Sequence, residues 1–262
     1  MQTSDEMYKK HSIHSDLKYY AKFYEMLSDS VMSYVNVGTS TIMNMDTYVF
    51  MSIKCTIESI ALVLQDGKVN DAYALLRKYN DAVIINAYTN LYLQDNAGRD
   101  GYYIEEINSW LKGCKPLPRI QKMDKYLVSS NRISDLSKLL SIDSRYELIR
   151  DRCNDNVHYN SFSLLVMNEG QVYMQERIKI ISQLQQDIKE IFALNLSYMF
   201  KISPHYMCSS DYIDFLECGM EPPHGSQDWV ADFIQEAIDI VLKSTRYDVY
   251  SLLKEKTSMH IS

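Results

Sequence analysis

SRYELIRDRCNDNVHYN, residues 144–160, gathers Arg145, Arg150, Asp151, Arg152, Asn154, Asp155 and His158 on what the spacing predicts to be a single helix. No other window of the chain is as rich in groups that handle a phosphate or a proton. Tyr146, Ile149, Cys153 and Val157 recur at three- and four-residue steps, a stripe that faces a core and leaves the charged side chains on the opposite side. Ser144 followed by Glu147 reads as a capping box: the hydroxyl accepts from the Glu147 backbone N–H, and the carboxylate reaches back to the Ser144 N–H.

The same helical period extends outward in both directions. Upstream, Leu17, Tyr20, Tyr24, Leu27 and Val31 predict a helix over 15–35, stopped at Val37-Gly38-Thr39-Ser40. Phe50, Ile53, Ile57, Ile60 and Leu64 predict a second helix over 46–65, closed by Asp66-Gly67, since glycine takes the left-handed conformation favoured at a helix end. Asn70 or Asp71 then caps a third helix, antiparallel to the second across a tight turn. A loop at Asn96, Gly98, Asp100 and Gly101 leads to short helices near 104–111, 119–128 and 131–141, interrupted by Lys115-Pro116-Leu117-Pro118. Downstream of the central stretch, Ser161–Gly170 reads as a loop or short extended piece. Gln171–Lys201 reads as the longest helix, a rod of roughly 45 Å at 1.5 Å per residue. Beyond Ser203-Pro204, Ser209 or Ser210 caps a helix through Glu217, Ser226 caps one bearing Trp229, Val230, Phe233 and Ile234, and a last helix covers 249–256.

These segments predict an all-α fold: a bundle of long antiparallel helices over 1–204 with a C-terminal helical extension, 205–262, on the same core. Composition agrees. Among 262 residues there are 21 Tyr but only 8 Gly and 5 Pro, too few breakers for a chain of many turns. The 46% hydrophobic content is too high for disorder and leaves ample material for a core.

The net charge of −7 excludes a uniformly basic coat for nucleic acid. Residues 111–152 nevertheless carry ten Lys/Arg against five Asp/Glu, so the remainder sums to −12. That run is either a phosphate-attracting edge, with Lys122, Lys125, Arg145 and Arg150 as its contacts, or a set of solvated faces. Five cysteines with no CxxC pair are expected to be reduced thiols. No signal-peptide pattern, no uninterrupted apolar run long enough to span a bilayer and no metal-ligand spacing is present, which predicts a soluble cytoplasmic protein using neither membrane, metal nor cofactor.

Arg152 followed after five residues by His158, with polar Asn154 between them, in an all-α chain with two long antiparallel helices before it and a longer helix after it, resembles the HEPN (higher eukaryote and prokaryote nucleotide-binding) domain. Asp71-Ala72-Tyr73-Ala74-Leu75-Leu76-Arg77-Lys78-Tyr79 is also similar to the helix after the tight turn in prokaryotic members. The family pattern has Asn, Asp or His directly after the arginine; Cys153 stands there, so the polar role passes to Asn154. The resemblance implies a metal-independent endoribonuclease of a prokaryotic toxin or phage-defence system, acting as a homodimer on RNA, with an antitoxin or defence protein as a further partner. His158 would transfer protons and Arg152 would hold phosphate. The other function class is a non-catalytic helical module that binds nucleotide, RNA or a protein. The purely structural account pairs Arg150 and Arg152 with Asp151, Asp155 or Glu147 and hydrogen-bonds His158 to a helix end.

Overall fold

The computed structural model describes residues 1–34, 45–96 and 104–262, and among them the regular structure is helical, apart from an isolated antiparallel bridge of Cys208 with Val230. The helices are α1 Glu6–Lys9, α2 Ile13–Tyr34, α3 Met45–Gln65, α4 Val69–Asn96, α5 Glu105–Leu111, α6 Ile120–Ser129, α7 Ser134–Leu140, α8 Arg145–His158, α9 Phe162–Met167, α10 Arg177–Ile202, α11 Asp211–Glu217, α12 Asp232–Ala237, α13 Lys243–Thr245 and α14 Tyr247–Lys256. The chain is all-α. The turns expected at Val37–Ser40 and Gly98–Gly101 lie outside the described residues.

The long helices α2, α3, α4 and α10 each contribute one segment to each of two compact units. The first unit comprises Met1–Glu25, Val49–Val83 and Asp143–Phe192. Its centre is aromatic: Phe192 of α10 lies 4.4 Å from the Tyr20 ring and 5.0 Å from Phe23 of α2, and Tyr24 packs against Phe50 of α3 and Tyr79 of α4. The Tyr24 and Tyr79 hydroxyls, fully enclosed, satisfy each other at 2.6 Å, which removes the penalty of burying either one alone. By length and composition α3 is apolar enough to cross a membrane, although Lys54 and Glu58 interrupt its apolar run, and its stripe of Phe50, Ile53, Ile57 and Ile60 is buried in this core.

The second unit comprises Met26–Tyr48, Ile84–Ile142 and Ala193–Ser262, so residues 205–262, read as an extension, join two earlier parts of the chain and the end of α10. Asp46 in the first turn of α3 is buried and accepts from Asn86 and Asn90 of α4 and from the Tyr206 hydroxyl. Lys201 of α10 pairs with Asp135 of α7, and Arg246 holds both Asp248 and the Leu139 carbonyl.

Several local expectations need correction. Ser144 precedes α8 but makes no capping bond; Asp143 takes that role, accepting from the Arg145 backbone N–H at 3.1 Å, because Arg145 also draws its carboxylate in. α4 begins at Val69, so neither Asn70 nor Asp71 caps it; the Asn70 N–H is instead met by the Asn168 side chain at 2.9 Å. Ser161–Gly170 is no extended piece. Ser161 caps α9, which is only six residues long. α10 starts at Arg177 rather than near Gln171, and its 26 residues span roughly 39 Å. Ser226 opens a 3-10 turn, and Trp229 and Val230 lie in extended chain beside Cys208 instead of on a helix, which begins only at Asp232.

The late start of α10 has a physical cause. The Arg177 side chain is fully enclosed and meets no carboxylate; its N–H groups donate to the carbonyls of Met1, Gly67, Met167, Glu169 and Val172. Residues 167–172 wrap the guanidinium instead of extending the helix. The α3–α4 turn presses against that wrap: Gly67 has φ 79°, and a Cβ on Gly170 would lie 2.5 Å from the Asp66 carbonyl oxygen.

Candidate functional site

α8 is fixed to α10 at two points, running antiparallel to it. Near its start, Arg145 binds Asp143 through Nε and Nη2 and reaches Glu190 with Nη1 at 3.0 Å. One heptad later, Arg152 meets Asp187 bidentately, Nε to Oδ2 at 2.8 Å and Nη2 to Oδ1 at 2.6 Å. Asp187 is 1% exposed and also accepts from Gln183, one turn earlier on α10, and from the Tyr73 hydroxyl of α4. Four donors therefore converge on one buried carboxylate. The bridge raises the Arg152 pKa through its hydrogen bonds to Asp187, against the opposing effect of burial.

The remaining groups of the stretch sort by helical face. Ile149, Cys153 and Asn156 are buried, whereas Tyr146 and Val157 are half-buried, so the core stripe is rotated slightly from the expected one. Burial pushes the Cys153 thiol up to about 12, with Asp187 adding to the shift and Arg152 opposing it, so it is a packed thiol and not a nucleophile. Arg150, Asp151 and His158 are exposed and Asn154 is half-exposed, and none of these four makes a hydrogen bond or ion pair within the described residues. In a regular helix Arg152 and His158 are separated by a rise of roughly 9 Å and about 120° of rotation.

Two devices hold the end of α8. Asn156 is buried and donates to the Arg152 carbonyl at 2.8 Å, while the Asn70 amide lies 3.4 Å from the Asn156 carbonyl. After His158, Tyr159 takes a left-handed conformation, φ 50°, and Asn160 returns two bonds to Asp155, from its backbone N–H and from its side chain. A tyrosine in this conformation costs roughly 1–2 kcal/mol.

The structure thus brings Arg145, Arg150, Arg152, Asn154 and His158 onto one helix of the first unit, as the sequence predicted, but it engages Arg145 and Arg152 with acids. The pairings foreseen for Arg152, with Asp151, Asp155 or Glu147, are not made; a residue 35 positions away takes it. Lys122 and Lys125 lie in the second unit, on α6, exposed and free of ion pairs among the described residues. Asp187, Tyr73 and Gln183 were missed. Asp187 had left a trace: it falls among Leu184, Ile188 and Ile191 on the apolar stripe of α10, where a carboxylate needs a partner. Among the described residues no three His, Cys, Asp or Glu side chains gather closely enough to hold a metal ion. No protein-family model, curated protein or solved structure matches this chain.

Proposed function

We propose that this chain is a HEPN-type, metal-independent endoribonuclease of a prokaryotic toxin or phage-defence system, in which His158 transfers protons and Arg152 and Asn154 hold the phosphate. The observation that carries this reading is the contrast along α8: His158 stands exposed and unpartnered at a braced helix end, while Arg152 is anchored on one edge by Asp187 and keeps Nη1 to offer to a ligand. An anchored guanidinium loses little entropy on gripping an oxyanion. In the reaction His158 takes the ribose 2′-hydroxyl proton, the 2′-oxygen attacks the adjacent phosphorus, and the P–O5′ bond breaks. The 5′-oxygen then takes a proton from the imidazolium of a second copy's His158, leaving a 2′,3′-cyclic phosphate.

The second copy answers the 120° offset between the two residues. Leu148, Tyr159, Phe162 and Leu165 are exposed on α8, just after it and on α9, and a homodimer about a two-fold axis through this surface would cover them. Arg150 and Asp151, of opposite charge and both free, suit such an isologous contact.

One observation favours a second reading. Asp187 neutralises the Arg152 charge, and a neutralised guanidinium stabilises less developing charge in a transition state, which suits a non-catalytic module that binds nucleotide, RNA or a protein partner through other groups. Incubating the protein with RNA in EDTA separates the two. The enzyme reading expects cuts with cyclic-phosphate ends, their loss in His158→Ala with unchanged thermal stability, and a dimer in sedimentation. RNA that is bound and never cut leaves the binding module.

A further inference from the structure

The basic run 111–152 divides in the structure. Its later half is mostly consumed internally: Arg132 pairs with Asp95 at 2.6 Å, Arg145 with Asp143 and Glu190, and Arg152 with Asp187, which leaves Lys138 and Arg150 exposed without an ion pair among the described residues. Its first half is not. Lys112, Lys115, Arg119, Lys122 and Lys125 are all exposed, and none makes an ion pair within the described residues. Across those fourteen positions Asp124 is the one acid, in a chain whose net charge is −7.

The local build keeps these cations on one continuous exposed stretch of the second unit, from the end of α5 through α6. Gly113, at φ 69°, ends α5 with the N–H groups of Cys114 and Lys115 turned back on the Ser109 carbonyl, and Pro116 and Pro118 stiffen the connection into α6. On α6, Lys122 and Lys125 are one turn apart on the solvent side, while Met123 and Leu127 are buried. That burial decides between anionic partners. A helix that docks on a bilayer must offer its apolar face to the acyl chains; α6 has spent most of that face on its own core and keeps Val128 as its one exposed large apolar side chain. A linear polyanion needs no apolar face, only cations at intervals.

We propose that the strip formed by Lys112, Lys115, Arg119, Lys122 and Lys125 binds the phosphate backbone of single-stranded RNA. The proposal takes the identity of its polyanion from the endoribonuclease reading, but the strip lies in the second unit and Arg152 and His158 in the first, so contact and cleavage are separately testable. Binding through phosphates releases counterions, and five contacts on a single strand give a slope of log K against log salt of about −3.5. Affinity should therefore fall roughly a hundredfold between 50 and 200 mM salt.

The test is fluorescence anisotropy across that salt range with an unstructured 2′-O-methyl RNA oligonucleotide of about twenty nucleotides, which keeps every phosphate but lacks the attacking 2′-hydroxyl and so is not cut. Lys115→Glu/Lys122→Glu/Lys125→Glu should lose at least tenfold in affinity at low salt, with the slope reduced to about −1.4 or flatter. Lys9→Glu/Lys179→Glu/Lys256→Glu, which makes the same change in net charge at exposed lysines elsewhere, should bind within about twofold of wild type. Equal losses in the two triple variants would reduce the effect to overall charge and overturn the proposal, as would an absence of RNA binding. Vesicles with anionic headgroups that bind as tightly as RNA, and depend equally on the strip, would also overturn it. Absence of cleavage of unmodified RNA by the wild-type protein alongside intact strip binding refutes the enzyme and leaves the strip standing.

Discussion

Replacing Arg152 by alanine should cost stability as well as any activity, because it strands a carboxylate that is 1% exposed. Removing one member of a buried ion pair typically costs about 3–5 kcal/mol. Two features reduce that figure here: Arg152 is itself 33% exposed, so water replaces part of what is lost, and Gln183 and Tyr73 still donate to Asp187. The expected loss is about 2–3 kcal/mol, read as a shift of the urea midpoint by far-UV circular dichroism at constant m value. His158→Ala, at an exposed position without partners, should stay within about 0.5 kcal/mol of wild type. The double variant Arg152→Met/Asp187→Asn removes both charges with little change in volume and keeps an acceptor for Gln183 and Tyr73, so it should recover most of what Arg152→Ala loses. If Arg152→Ala unfolds at the wild-type midpoint, or the double variant is no more stable than it, the bridge is not what joins α8 to α10. The consequence for enzymology is direct: loss of cleavage in Arg152→Ala mixes chemistry with unfolding, and His158→Ala is the clean probe.

The helices were legible where a local pattern decides them. Asp66-Gly67 closes α3 as expected because a glycine with positive φ is a local requirement, and α8 begins and ends where the stretch 144–160 placed it. What failed depends on partners far along the chain. Arg177 looks like an ordinary charged position opening an amphipathic helix, yet it is enclosed by carbonyls, two of them 110 and 176 residues away, and the loop that supplies the other three displaces the start of α10. Trp229 and Val230 fit a helical stripe, but Met207 and Ser209 capture the backbone on either side of the bridge, with Ala231 N–H donating to the Met207 carbonyl and Ser209 N–H to the Trp229 carbonyl. The candidate site was half legible for the same reason. Residue types and spacing on α8 are visible in a line of text, whereas the acids that neutralise Arg132, Arg145 and Arg152 lie up to 45 residues away and turn a basic run into a shorter strip.

Gly170→Ala should lose about 1–3 kcal/mol, since its Cβ would sit 2.5 Å from a backbone oxygen that cannot swing aside; Gly113→Ala meets nothing within 4 Å and should cost only the roughly 1–2 kcal/mol of its left-handed φ. Thermal unfolding ranks the two, and equal losses would mean that the approach of Gly170 to the α3–α4 turn is not tight. Asp46→Asn tests a buried charge. Burial holds the Asp46 carboxyl above the ordinary carboxylate range, while the bonds from Tyr206, Asn90 and Asn86 pull the other way without cancelling it. The folded protein therefore binds this proton more tightly than the unfolded chain, whose aspartate titrates near about 3.9. The stabilisation due to Asp46 is complete below that pH and is lost as pH rises through the folded value. Asparagine does not titrate, and it preserves the contacts: Oδ1 still accepts from Asn86 and Asn90, and its new N–H₂ group donates to the Tyr206 oxygen. Urea midpoints of the two proteins should thus diverge in favour of Asp46→Asn between pH 4.5 and pH 7. A wild type that instead gains on the variant as pH rises would show that the three donors outweigh burial and that the ionised carboxylate is the favoured form in the fold.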